Sequence, residues 1–260
     1  MIEYLRLSGA AVHTPVYRYR HPVTGRRVTL VAAMHVGTPA YFSGLLDTIS
    51  DVEDGGAVVH SEFIRSQPIP PDVAEEERRV LEAMKGGGQC EDRAIATLGW
   101  VHQREAFGDI PPSWQEHDLD PLQIIRLAGP TVIGAQVAQH HRRFAWATDD
   151  WQIRTPRAAA LFALQAAIGL RIGASRGTKK IPYTPGDEIL IDARDRAALQ
   201  GIDSTDRDVV MIWGAVHVRG IDTGLQARGF THIADPEWRT VAVLPTISTA
   251  LWRLIRRGTP

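Results

Sequence analysis

Two histidines and one glutamate each stand at the end of an apolar segment typical of a buried strand: His35, Glu62 and His217. The carboxyl ends of parallel strands meet at one edge of an α/β sheet, and such proteins bind their ligands there. Two imidazole nitrogens and a carboxylate oxygen suit a divalent metal, and mixed ligation of this kind is compatible with zinc, manganese or cobalt. The pattern therefore predicts a metal site formed by these three side chains.

The glutamate has two interpretations, because His60 precedes Glu62 by two residues and a strand directs both side chains to the same face. Glu62 either binds the metal itself or acts as the general base while His60 binds the metal. In both cases a position remains for water, whose pKa the metal lowers towards neutrality. The competing interpretation of each residue is a hydrogen-bonded side chain partly buried at a strand end.

Motifs around these residues resemble those of the TraB/Tiki-like superfamily (the GumN/PrgY type). They are Gly214-Ala215-Val216-His217, the acidic Glu62 followed by Arg65, and a helical segment that contains Arg194. The ending of the chain over 214–229 is also similar to the family's. The resemblance covers 1–65 and about 185–240, and the first motif departs from it because Ala32 occupies the position of the family's glycine.

The resemblance implies a fold similar to that of erythromycin-esterase-like and ChaN-like proteins. It also implies activity as a divalent-metal-dependent peptidase, with a peptide or a small amide or ester as substrate. Arg65 and Arg194 would then bind a substrate carboxylate or a developing oxyanion, and the competing interpretation of each is a surface arginine or a structural ion pair. Asp195 would orient a neighbouring group or cap a helix, and Gly214 allows a loop or ligand to approach closely because it has no Cβ.

A short polar segment in the middle of the chain supplies further candidates, namely Trp114, His117 and Asp118. These side chains could line the cover of the site. For Asp118, which precedes a predicted helix, the favoured interpretation is a helix N-cap.

The order of the predicted elements indicates one α/β domain over 1–260. A β-hairpin at 16–34 leads into a helix that begins at Pro39 and a strand at 57–62, and strands return at 208–214 and 240–244. The expected fold is a mixed, largely parallel sheet with an N-terminal hairpin. A mainly helical insertion at 71–202 interrupts it, with helices predicted at 72–84, 91–107, 121–144 and 155–172.

Composition excludes several classes of protein. A formal net charge of −1 provides no global field for nucleic acid. The single cysteine, Cys90, excludes an internal disulfide and fits a reducing compartment, and the apolar segments are too short to span a bilayer. A cytoplasmic protein is expected. The basic amphipathic segment 246–257 is expected to pack on the domain, with peripheral contact to an anionic membrane as the less favoured alternative.

Two other functions compete with a metal-dependent hydrolase. A noncatalytic metal- or ligand-binding regulatory protein could retain the fold, and Ala32 is the residue that favours it. A serine hydrolase could use Ser175 in a G-x-S-x-G motif, but a predicted helix precedes this serine where a nucleophile elbow requires a strand. The oligomeric state is not predicted.

Overall fold

A computed structural model describes residues 2–62, 68–86, 95–96, 98–144, 168 and 185–244. Its strands are β1 (Arg6–Ser8), β2 (Ala11–Arg20), β3 (Arg27–Ala33), β4 (Val36–Gly37), β5 (Val58–Ser61), β6 (Val101–His102), β7 (Gln115–Glu116), β8 (Val209–Gly214), β9 (Thr231–His232) and β10 (Glu237–Val243). Its helices are α1 (Pro39–Asp54), α2 (Glu75–Gly86), α3 (Gln103–Phe107), α4 (Pro121–Ala128), α5 (Pro130–Phe144), α6 (Pro185–Asp203) and α7 (Val218–Ala227). In this part of the chain, no helix combines the length and the apolar character needed to cross a bilayer.

The main sheet is mixed, with strand order β1-β2-β3-β8-β5-β7. β3, β8, β5 and β7 run parallel, whereas β2 pairs antiparallel with β1, β3, β9 and β10. β4 and β6 form a separate antiparallel pair. The predicted fold class and the N-terminal hairpin are confirmed, and β8 lies between the first two strands of the parallel part.

Helices cover both faces of the sheet, and β8 in the parallel part is apolar and buried along its whole length. Thr14 and Tyr19 lie five residues apart on β2, and their side chains therefore point to opposite faces. Thr14 Oγ1 lies 2.9 Å from the hydroxyl of Tyr41 in α1, whereas the Tyr19 hydroxyl donates to Asp222 of α7 at 3.1 Å. It follows that α1 packs on one face and α7 on the other.

Two glycines bring α6 and α7 unusually close together. Gly220 and Gly224 are four residues apart on α7 and therefore share one face of the helix. A Cβ atom added at Gly224 would lie 2.1 Å from Leu199 Cδ1, and one added at Gly220 would lie 1.7 Å from Asp195 Oδ2. The absence of side chains here allows the acidic residue on α6 to reach the beginning of α7.

The insertion differs from its prediction in three respects. The continuous helix expected at 91–107 is wrong, because Gly99 has a φ of 70° and β6 precedes the short α3. The helix expected at 121–144 is two helices, divided at Gly129 with a φ of 89°. The insertion also contributes β7 to the main sheet. Most of the helix expected at 155–172, and all of 246–257, lie outside the described residues.

Candidate active site

Glu62 lies just past the end of β5, where its backbone N–H still donates to Ile212 of β8 at 3.1 Å. Its carboxylate contacts two donors: Oε1 accepts from Arg194 Nη2 at 2.6 Å, and Oε2 accepts from the backbone N–H of Gly214. A Cβ atom at residue 214 would lie 3.0 Å from Oε2. The glycine at this strand end therefore permits the close approach that holds the carboxylate.

Arg194 joins this carboxylate to the insertion through Asp118. Its Nε lies 2.9 Å from Asp118 Oδ1 and its Nη2 lies 2.5 Å from Oδ2, which makes a two-point ion pair. The Asp118 side chain is fully buried. The prediction that Asp118 caps a helix is wrong. Asp120 is the N-cap of α4 and accepts from the Gln123 N–H at 2.8 Å.

His217 is buried and lies between two carboxylates from different elements. Its Nδ1 is 2.6 Å from Asp195 Oδ1, and its Nε2 is 3.7 Å from Glu62 Oε1. The sequence predicts that Asp195 either caps a helix or orients a neighbouring group. It lies inside α6 and does not cap it, and its contact is with the His217 ring, which it orients. A carboxylate on Nδ1 fixes the ring and the tautomer that presents the Nε2 lone pair.

His35 is exposed on the loop after β3, and its Nδ1 lies 3.2 Å from Oε1 of Gln103. Gln103 is buried and begins α3, and its backbone N–H donates to the His35 carbonyl at 2.8 Å. The ring of His35 lies parallel to that of His102, with the ring centroids 6.3 Å apart. Sequence reasoning missed Gln103, because a glutamine within a predicted helix belongs to no motif.

Electrostatics keep the Glu62 carboxyl ionised. Burial by itself would raise its pKa, but the charges of Arg194, His217 and His35, with the Gly214 amide, outweigh burial and hold the pKa below its ordinary value. Burial raises the pKa of Asp195, and its hydrogen bond with His217 offsets only part of that effect. Burial opposes the charge of Arg194, but Asp118 and Glu62 raise the pKa of the guanidinium above its ordinary value.

His60 shares the sheet face of Glu62 but contacts a different group. It is fully buried, its ring centroid lies 4.1 Å from that of His117, and neither ring nitrogen reaches hydrogen-bond geometry with a described residue. Burial, reinforced by the nearby His117, lowers the pKa of His60 to about 3. The ring is therefore neutral over the physiological range. Trp114 lies in the hydrophobic core against Phe107, with the ring centroids 6.4 Å apart.

The donors present suit a divalent cation in part. Glu62 Oε1 and His217 Nε2 are oriented towards each other, and a carboxylate on the other ring nitrogen is the usual support of a metal-binding histidine. His35 is close enough for its charge to lower the pKa of Glu62. In the described residues, however, no group of three His, Cys, Asp or Glu side chains is arranged to hold a metal.

Three residues named from the sequence lie outside the described residues: Arg65, Cys90 and Ser175. The structure brings together six of the others at one end of the sheet, namely Glu62, Asp118, Arg194, Asp195, Gly214 and His217. No protein-family model, curated protein or solved structure matches the chain.

Proposed function

We propose that this protein is a divalent-metal-dependent hydrolase that attacks an amide or ester carbonyl, with a peptide as the favoured substrate. The observation that carries the proposal is the row Asp195–His217–Glu62. In this row a buried carboxylate orients an imidazole towards an ionised glutamate 3.7 Å away. A base oriented by a third group is the common arrangement of sites that move protons.

Each residue of the row has a role in this hypothesis. Glu62 is anionic at neutral pH and accepts a proton from the attacking water. His217 holds a proton at Nδ1 for Asp195 and presents its Nε2 lone pair to Glu62, so it can take up the proton that Glu62 received and pass it to the leaving amine or alkoxide. The Gly214 N–H and Arg194 Nη2 keep the Glu62 carboxylate in one orientation during these steps.

A metal would be held by Glu62, His217 and His35. Glu62 and His217 would then be ligands and not proton carriers, because one lone pair cannot bind a metal and a proton at the same time. When bound, manganese, cobalt or zinc would lower the pKa of a water ligand towards neutrality and polarise the substrate carbonyl. Arg194 already uses Nε and Nη2 for Asp118 and Glu62, and its Nη1 hydrogen-bonds no described residue. In the proposal this nitrogen binds the substrate carboxylate or the oxyanion. A cytoplasmic location belongs to the same proposal, and the single cysteine supports it.

A second candidate is a noncatalytic protein that binds a metal or another ligand at this position. The specific observation in its favour is that both oxygens of Glu62 already accept hydrogen bonds, from Arg194 and from Gly214. A carboxylate occupied in this way binds a cation less readily than a free one, because ligation must compete with the guanidinium.

One experiment distinguishes the two candidates. The pure protein is stripped with a chelator, reloaded separately with Mn²⁺, Co²⁺ or Zn²⁺, and assayed on mixed peptides and on small esters. Elemental analysis runs in parallel. Turnover that requires one metal and disappears in Glu62→Gln and His217→Ala supports the hydrolase. One bound metal without turnover supports the binding protein, and a protein that retains no metal and hydrolyses nothing contradicts the hydrolase.

A further inference from the structure

The two histidines at the carboxyl edge of the sheet are held in the same way by different partners. His217 Nδ1 lies 2.6 Å from a carboxylate oxygen of Asp195, and His35 Nδ1 lies 3.2 Å from the amide oxygen of Gln103. Both partners are 6% exposed. In each pair an oxygen of a buried side chain from a helix contacts Nδ1, so both contacts favour the tautomer that carries hydrogen on Nδ1.

Backbone contacts place Gln103 beside His35. Residues Val36 and Gly37 of β4 pair with His102 and Val101 of β6, so the loop that carries His35 runs beside the start of α3. The Gln103 backbone N–H then closes this arrangement by donating to the His35 carbonyl at 2.8 Å. A buried amide costs free energy unless its polar atoms are hydrogen-bonded, and the imidazole supplies a partner for its oxygen.

We propose that Gln103 is a positioning residue that holds His35 with a proton on Nδ1 and a free lone pair on Nε2. An amide oxygen accepts but does not donate, so it stabilises the tautomer that carries hydrogen on Nδ1. A free imidazole prefers hydrogen on Nε2, and the contact therefore reverses the intrinsic preference of the ring. Insofar as the Nε2 lone pair serves a metal ligand, this inference rests on the proposed function.

The side chains that contact the two histidines differ in charge, so the two imidazoles have different roles in the proposal. Asp195 is acidic and stabilises a positive charge on His217, as a proton-transferring group requires. Gln103 is neutral and orients His35 without adding a negative charge to the site. His35 is therefore the imidazole whose ring is held by a neutral partner, at 3.2 Å and without a second carboxylate among the described residues.

The test is made first on the metal-free protein, by long-range ¹H–¹⁵N NMR of the imidazole rings at a mildly alkaline pH. The signals of His35 are assigned by their loss in His35→Asn. We expect the wild-type ring to carry hydrogen on Nδ1. Gln103→Leu cannot accept this hydrogen and should return the ring to the Nε2–H form, whereas Gln103→Glu keeps an acceptor and should preserve the Nδ1–H form. A wild-type ring in the Nε2–H form overturns the proposal, even if neither variant folds.

A second measurement connects the contact to the metal. Metal-free protein is titrated with Co²⁺ and followed by visible absorbance, a readout that does not depend on catalysis. Loss of a partner that orients a ligand usually weakens metal binding by about 10- to 100-fold. We expect a loss of that size in Gln103→Leu and recovery in Gln103→Glu. Equal affinity of Gln103→Leu and the wild type contradicts the inference. An Nδ1–H ring in a wild type that binds no Co²⁺ supports the positioning role and contradicts the metal-dependent function.

Discussion

His217 Nδ1 lies 2.6 Å from Asp195 Oδ1, although one residue immediately precedes α7 and the other lies within α6. The contact requires the two helices to pack closely. Gly220 and Gly224 allow this because they have no side chains that would keep the helices apart. The imidazole is then held on one side by α6 and faces Glu62 on the other. Helix packing, and not a local motif, therefore orients the proposed catalytic histidine.

Gly220→Ala should disturb the site through this packing. The added methyl would lie 1.7 Å from Asp195 Oδ2, so Asp195 or the helix must move. Overpacking of this kind lowers the free energy of unfolding by about 1 to 3 kcal/mol, measured by urea denaturation.

Gly44→Ala is the matched control for this prediction. Gly44 lies within α1, and a Cβ atom there would meet no atom within 4 Å. Because alanine is the better helix former, we expect this variant to gain about 0.5 to 1 kcal/mol of stability. Gly220→Ala as stable as the control would contradict the packing argument.

Asp118→Ala should destabilise the protein by about 3 kcal/mol, because it leaves the partly buried Arg194 with one carboxylate in place of two. The comparison is Asp203→Ala, which breaks a two-point ion pair with Arg228 on the surface, where the Asp203 side chain is 53% exposed. Such a pair contributes about 0 to 1 kcal/mol. Equal losses in the two variants, measured by urea denaturation, would show that Asp118 is not a buried anchor.

His60 should make the protein less stable as the pH falls. In the unfolded chain its imidazole binds a proton below its ordinary pKa of 6.5, whereas the folded protein keeps it neutral down to about pH 3. Between these values the unfolded state holds more protons, so the free energy of unfolding rises with pH by about 1.4 kcal/mol per pH unit for this group. Denaturation of His60→Phe between about pH 5 and 6 should show a slope smaller by that amount.

His117→Phe provides a comparison for the pH experiment. Burial also lowers the pKa of His117, but the ring is only partly buried, so we expect its removal to change the slope less. Glu62 does not affect the slope above pH 5. Because its pKa is lowered, its carboxylate becomes protonated, and its contribution to stability is lost, only at a more acid pH. An unchanged slope in His60→Phe would refute the assignment.

Asp195→Asn should reduce the proposed hydrolysis by about 10²- to 10⁴-fold, with little loss of folded protein. The amide removes the charge that stabilises a protonated His217 and can donate to Nδ1, which favours the wrong tautomer. The measurements are kcat and, independently of catalysis, Co²⁺ affinity. Asp192→Asn removes the same charge from an exposed position on the same helix and should behave like the wild type. Similar kcat values in the two variants would exclude an orienting role for Asp195.

Much of the local structure could be predicted from the sequence. Alternation and turn residues predict the hairpin formed by β2 and β3, and Pro39 and Gly55 bound α1 as expected. These signals succeed because each depends on neighbouring residues. The helix predicted at 91–107 failed because its apolar residues suit a helix, while Gly99 adopts a φ of 70° that ends one.

The sequence by itself determined the hairpin, α1 and the strand ends that carry Glu62 and His217, because apolar runs and polar termini are local patterns. The tertiary structure decided which partners these residues have. Asp118 and Arg194 are 76 residues apart, and Gln103 and His35 are 68 apart. Such contacts depend on how helices lie across the sheet and on where a glycine permits close approach. The periodicity of a sequence does not show how far apart two elements lie in the folded protein. That distance is set by how the elements pack.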